Sequence, residues 1–355
     1  MILSSFKYKV SGWELVELNT LGATNLLVGK NASGKTRTIK ALRNVTSFLS
    51  MRPILFAEKD FKVTLVFSNP EDMNWEMKYM FEVTNGRIVT EQLAVCKKRI
   101  LKRDTTKTVF NGETINPPSD KLVVQVRRDR EAFPEFEQIM EWAEGVVAVS
   151  CSDINPFTIF NGSSGFINPL SFSGLVDSLT KEEIKSVIKN AKQLGYDVVT
   201  MDLIKPNNDV KMVMLQERYV NDVIMDFQLS SGMLRVLYIL CFLKYIKHTT
   251  NCSMLLLDDL GEGLDYSRAT LLGNIVFDSC EDANIQMVAS SNDSFLMDVV
   301  DISKWQILRR KYTKLTVLNH RNNPELFDSF RMTGLSNFDL FSSDYIDNYL
   351  ERSGK

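Results

Sequence analysis

Residues 29–36 read Gly-Lys-Asn-Ala-Ser-Gly-Lys-Thr, the spacing GxxxxGK[ST]. They lie between a short apolar run, Thr24 to Val28, and a segment in which Ile39, Leu42, Val45, Phe48 and Leu49 fall on one helical face. A phosphate chain needs many backbone N–H donors converging on it. That requires glycine where a Cβ would block the approach or where φ must be positive. Gly29, Lys30, Asn31, Ala32, Ser33 and Gly34 are therefore expected to form the cradle. The turn from Gly34 to Arg37 offers the positive end of a helix, Lys35 a point charge for the β and γ oxygens, and the Thr36 hydroxyl a ligand for Mg²⁺. Strand, glycine loop and helix in this order imply an α/β fold around a parallel sheet.

Two further segments belong to the same chemistry. Met254 to Leu257 is a continuous apolar run ending in Asp258 and Asp259, the pattern of a buried parallel strand whose C-terminal edge faces a ligand. Asp258 is expected to hold Mg²⁺ and Asp259 to orient an attacking water. Upstream, Leu229-Ser230-Ser231-Gly232-Met233-Leu234-Arg235 precedes a helical run from Val236 to Tyr245. Taken alone it is a serine N-cap. Gly263 to Asp265 reads GLD, and Ile285 to Asp293 reads as one more core strand ending near Asn292.

In this order the motifs resemble those of the ABC ATPase superfamily. The resemblance covers roughly residues 1–125 and 215–320. It implies that ATP and Mg²⁺ bind at a composite homodimer or higher homo-oligomer interface. Ser230, Ser231 and Gly232 would stand in the signature position and reach the γ-phosphate held by a partner copy. Asn292 stands where the family places a switch histidine, and Asp259 where it usually places glutamate. One methylene less at Asp259 and no cationic group at Asn292 predict slow hydrolysis without weak binding. The likeness extends to AAA-like ATPases of the overcoming-lysogenization-defect and anti-phage defence type. About 55 residues follow Val300, without paired carboxylates on strand-like segments, so no Toprim nuclease domain is expected. That likeness implies a separate nuclease or toxin as the effector. Chromosome-maintenance and repair ATPases resemble the chain less, because it has no heptad run for long coiled-coil arms.

Organisation follows from periodicity. Residues 1–125 are expected to form an N-terminal lobe with the phosphate loop and an antiparallel β subdomain. Its strands FKVTLVF, MKYMFEV, RIVTEQLAV and TKTVFNG are separated by the turn pairs Asn69-Pro70, Asn85-Gly86 and Asn111-Gly112. Residues 126–214 read as a helical lid or insertion, with a glycine- and serine-rich loop from Phe160 to Gly174 and with strands returning at Val198 to Ile204 and Lys211 to Leu215. In the same span lies a helix capped by Thr180 and Glu183 and stopped at Gly195. Residues 215–320 form the second lobe, closed by a hairpin carrying Arg309, Arg310 and Lys311. Residues 321–355 form an aromatic tail, either packed onto the ATPase or free to anchor a partner. The expected architecture is thus an ABC-ATPase-type α/β fold with a mixed, largely parallel core sheet.

Charge narrows the partners. The formal net charge is -2, so there is no global field for nucleic acid. The dense basic run, Lys97 to Arg103, reads either as a charged hairpin edge or as a local phosphate patch. Cys96, Cys151, Cys241, Cys252 and Cys280 form no CxxC pair and read as reduced thiols, and two histidines are too few for a histidine metal site. No stretch approaches the ~20 apolar residues of a membrane span, and no signal peptide is apparent. A cytoplasmic protein is expected. Phe6, Tyr8 and Trp13 are candidates for stacking on adenine, but a strand core is the better home for them.

Overall fold

The computed structural model describes residues 1–53, 58–154, 160–161, 166–167, 170–206, 210–248 and 251–352. Part of the expected loop from Phe160 to Gly174, at residues 162–165 and 168–169, lies outside the described residues. Within the remainder, Ser171 caps a short helix, Phe172–Ser178, through a bond from the Gly174 N–H.

Fourteen strands form one continuous sheet. Its parallel part runs Val146–Ser150, Met254–Asp258, Gln286–Ser290, Thr24–Val28 and Trp305–Lys311. Lys314–Leu318 turns back as a hairpin and then pairs in parallel with Trp13–Asn19. From there the sheet is antiparallel: Ile2–Val10, Phe61–Asn69, Asp72–Thr84, Arg87–Val95, Lys98–Arg103, Thr108–Phe110 and Glu113–Ile115. The hairpin turns have the expected chemistry: Asn85 and Gly86, and Asn111 and Gly112, all adopt positive φ.

The central strands are buried on both faces, which explains their unbroken apolar runs. Leu27, Leu256 and Val288 point into one core, shared with Ile39, Leu42 and Val45 of the helix Lys35–Leu49 and with the hairpin residues Phe67, Tyr79 and Phe81. Leu26, Val28, Leu255, Leu257 and Met287 point into the other, built around the helix Ser231–His248. That helix starts at the signature segment itself, earlier than its apolar run suggests. It is buried nearly all round, so it belongs to the interior and carries no amphipathic stripe.

Residues 126–214 do more than form helices. Val146–Ser150 is the edge strand of the parallel core, in register with Met254–Asp258. Val198–Ile204, Met212–Glu217 and Ile224–Met225 make a separate antiparallel sheet. The helix Lys181–Gln193 carries the expected reciprocal cap between Thr180 and Glu183.

The basic run is divided by burial. Lys97, Lys98, Arg99 and Lys102 are exposed, but Arg103 is buried. Its guanidinium donates to the carbonyls of Lys121 (2.7 Å) and Pro118 (2.8 Å) and lies 3.6 Å from the buried Glu91. Glu91 also accepts from the Tyr79 hydroxyl and the Val123 N–H. Arg103 therefore leaves the expected phosphate patch: it fixes the hairpins to the segment at 118–126. The aromatic tail packs back onto the rest of the fold, with Leu326, Phe327, Phe330, Leu340 and Ile346 in the core around the helix Ser231–His248. Among the described residues no helix is long and apolar enough to cross a membrane.

Candidate functional site

The loop at 29–36 emerges from the buried strand Thr24–Val28 and ends as the N-terminus of the helix Lys35–Leu49. Two positions dictate its shape. A Cβ on Gly29 would lie 2.4 Å from Ser33 Oγ and 3.0 Å from the Leu308 carbonyl oxygen. Gly34, at φ 106°, occupies backbone space that a side chain would strain. Ala32 also takes a positive φ, and the Ser33 N–H closes a turn on the Lys30 carbonyl at 3.0 Å.

Lys35 is buried, and its Nζ donates to the carbonyls of Gly29 and Lys30, which holds the cation inside the loop. Burial pushes its pKa down, and Asp259 and Asp258 oppose that shift. Ser33 Oγ is buried with no hydrogen-bond partner. The Arg37 guanidinium lies 4.7 Å from the centre of the Trp13 ring. That leaves the Arg37 backbone N–H, in the first helical turn, as its contribution to the loop.

The strand Met254–Asp258 delivers two acids to the same edge. Ser290, on the neighbouring strand, donates from Oγ to Asp258 Oδ1 at 2.6 Å and accepts from the Asp259 N–H at 3.0 Å. Burial raises the Asp258 pKa, opposed by hydrogen bonds from the Ser290 and Thr36 hydroxyls. Thr36 and Asp258 thus meet across the strands. Asp259, at φ 57°, turns away from the strand direction. Its carboxyl is pushed up to about 6 by burial, then by Asp258 and Glu262. Asn292 Nδ2 lies 3.4 Å from Asp259 Oδ1. A third acid, Asp153, follows the edge strand Val146–Ser150. It takes a bond from Ser150 Oγ at 2.8 Å and adds its charge to the field at both Asp258 and Asp259.

The signature segment makes contacts of its own. Ser230 and Ser231 are exposed, and Ser230 Oγ accepts from the Met233 N–H at 3.3 Å, the N-cap bond its sequence suggests. Gly232 faces Leu264, the Tyr196 hydroxyl and the Gly263 carbonyl. Arg235, one turn along, donates to the Glu262 carbonyl at 2.7 Å and, more weakly, to Ser152 at 3.4 Å. Among the described residues no hydrogen bond joins Ser230–Gly232 to residues 29–36. Lys35 and Thr36 of the loop, Asp258, Asp259 and Asn292 are brought together, while the head of the signature segment packs on the turn that follows Asp259.

Sequence reasoning passed over Ser290 and Asp153. Serine on a core strand has no motif of its own; its adjacency to Asp258 comes only from the order of strands. Asp153 lies three residues past a five-residue strand, in a region read as helices and loops.

The residues fit a nucleoside triphosphate with Mg²⁺. A buried hydroxyl without a partner, a buried lysine and a glycine whose Cβ position is already crowded surround the loop, and a hydroxyl and a carboxylate with a divalent cation's donor chemistry meet beside it. Thr36 and Asp258 are the residues that would hold the cation.

A family model described as "AAA domain, putative AbiEii toxin, Type IV TA system" matches residues 24–298. No curated protein matches the chain in sequence. Among the solved structures that share its fold are two Smc head domains. One is the Smc head bound to the C-terminal winged-helix domain of ScpA, at 12% identity and a TM-score of 0.52, covering 90% of this chain and 97% of that one. The other is the Smc head domain with an extended coiled coil bound to the C-terminal domain of ScpA from Pyrococcus furiosus. It has 11% identity and a TM-score of 0.51, and covers 93% of this chain and 99% of that one. At these identities the likeness concerns fold alone: an α/β architecture with a large mixed sheet.

Proposed function

The chain belongs to this AAA-domain family, and from that membership we propose that it is an ATP hydrolase with a composite site shared between two copies. The observation that carries the reading is the meeting of the 29–36 loop with Asp258. Ser290 hydrogen-bonds that carboxylate, the Thr36 hydroxyl helps to hold its pKa down, and Lys35 feels its charge. Residues 29–34 and Arg37 would bind the phosphates through their N–H groups, with Lys35 neutralising the β and γ oxygens. Bound Mg²⁺ would supply further charge neutralisation to the triphosphate. Asp259 would hold the attacking water and accept its proton, steadied by Asn292. Ser230, Ser231 and Gly232 would complete the site of a second copy, in keeping with the exposure of the two serines.

Turnover on this reading is slow. The short Asp259 side chain has to reach its water from a left-handed backbone position, and its Oδ1 already faces Asn292 Nδ2 at 3.4 Å. Nucleotide would then act as a timer for a separate effector, a nuclease or toxin, in anti-phage defence; the family's toxin–antitoxin description is in keeping with such a pair. The same Asp259–Asn292 contact favours a second reading, a nucleotide-gated scaffold that holds its effector with little hydrolysis. A contact to nucleic acid, as in a repair-type ATPase, would rest on the exposed Lys97, Lys98, Arg99 and Lys102.

Titration with ATP and steady-state phosphate release test this. Lys35→Ala should abolish ATP binding in a folded protein, and Asp259→Glu should raise turnover. Retained affinity in the first variant would remove the phosphate-cradle role. Rapid turnover of the wild type, unchanged by the second, would remove the timer.

A further inference from the structure

The candidate stackers in the N-terminal strands are unavailable to a base: Phe6, Tyr8 and Trp13 are all buried in the hairpin core. Another place is open. A cleft of about 550 Å³ lies against the outer side of the phosphate loop, bounded by Lys30–Ser33, the end of the strand Trp305–Lys311, Tyr312 and the tail residues Phe341, Ser343 and Asp347. Its size falls within the ~300–1,000 Å³ of small-molecule sites.

Strand order gives the cleft its meaning. Asp258 lies two strands to one side of Thr24–Val28; Trp305–Lys311 is the parallel neighbour on the other. A triphosphate whose metal-bound end faces Asp258 must send its nucleoside toward the opposite side of the loop. That side is the C-terminal edge of Trp305–Lys311, where ligands of parallel sheets gather. The cleft wall is also tied to the loop. Arg310 Nη1 donates to the Ala32 carbonyl at 3.3 Å, while its Nε donates to the Tyr312 carbonyl at 2.9 Å. Tyr312 therefore stands at a fixed place beside the phosphate cradle, yet 84% of its surface is exposed. Across the cleft, Arg309 and Asp347 form an ion pair that fastens the tail to the same strand.

We propose that this cleft receives the base and ribose of the nucleotide held by residues 29–36, with Tyr312 stacking on the base and the C-terminal tail forming the facing wall. The assignment rests on the phosphate-binding reading of the loop and adds to it the residues that distinguish a nucleotide from bare phosphate. An aromatic ring on a base is worth ~1–3 kcal/mol, so loss of the ring should cost about tenfold or more in affinity.

The test compares ATP with inorganic tripolyphosphate, each with Mg²⁺, by calorimetric titration of the full chain. Tyr312→Ala should weaken ATP about tenfold and leave tripolyphosphate unchanged, and Tyr312→Phe should retain the ATP affinity. Ser343→Trp, at an exposed position facing the cleft, should obstruct ATP and spare tripolyphosphate. ATP affinity unaltered in both Tyr312→Ala and Ser343→Trp overturns the proposal, as does an equal loss of both ligands in Tyr312→Ala. Lys35→Ala separates the two levels: it should weaken both ligands. If tripolyphosphate binds Lys35→Ala as it binds the wild type, the phosphate reading fails and the cleft assignment falls with it.

Discussion

The hydroxyl of Ser290 lies 2.6 Å from Asp258 Oδ1, and the same oxygen accepts the N–H of Asp259 at 3.0 Å. One side chain on a neighbouring strand thus sets both the rotamer of the first acid and the backbone turn that aims the second. Ser290→Ala should lower stability by about 1–3 kcal/mol, since a buried carboxylate loses a partner. It should also lower ATP turnover by ~10–100-fold, as loss of a group that orients a metal ligand does. Urea unfolding and single-turnover phosphate release read the two effects. Unchanged turnover in a destabilised variant would reduce Ser290 to a packing residue.

Gly29→Ala should cost at least about tenfold in ATP affinity. The new methyl group would stand 2.4 Å from Ser33 Oγ and 3.0 Å from the Leu308 oxygen, so the loop must open to admit it. Equilibrium binding of a fluorescent ATP analogue measures this, and wild-type affinity would mean that the cradle does not need its present curvature.

Asp259 links activity to stability through pH. Its carboxyl is pushed up to about 6, against ~3.9 for an ordinary aspartate. The folded chain holds that proton more tightly than the unfolded chain does. The group's contribution to stability is therefore complete below about pH 4 and is lost as pH rises through about 6. Asp259→Asn escapes the loss, so its melting temperature should exceed that of the wild type at pH 8, with the difference closing toward pH 4. Thermal melts of protein free of nucleotide and metal provide the comparison. An advantage of constant size across this range would show that the charge is not its source.

Arg103→Ala should destabilise the chain by about 3–5 kcal/mol, because it takes the counter-ion from the buried Glu91 and the donors from the Lys121 and Pro118 carbonyls. Lys98→Gln and Lys102→Gln, at exposed positions of the same strand, should each change stability by less than ~0.5 kcal/mol. If DNA binds at all, the lysine changes, not the arginine, should reduce its salt dependence. Urea unfolding and binding at several salt concentrations decide both points.

How much of this was legible in the residues depended on whether the chemistry was local. The cradle is one uninterrupted stretch, and Asp258 ends a strand whose apolar run announces its burial, so both could be read directly. The turn at Asn85-Gly86 was equally plain, because its positive φ values demand those residue types. Ser290, Asp153 and Tyr312 acquire meaning only from neighbours far away in the chain. Val146–Ser150 is too short to stand out between a helix and a loop, although it closes the edge of the parallel core. Arg103 looked like its exposed neighbours because a strand's alternation puts every second residue inside whatever its charge.

Arg235 has one further implication. It clips the head of the buried helix Ser231–His248 to the carbonyls of Glu262 and Ser152, beside the loops that carry Asp259 and Asp153. At the far end of that rod, His248 pairs with Glu183 on the outer helix Lys181–Gln193. One helix thus ties the outer helix at one end to the turns that carry the acids at the other.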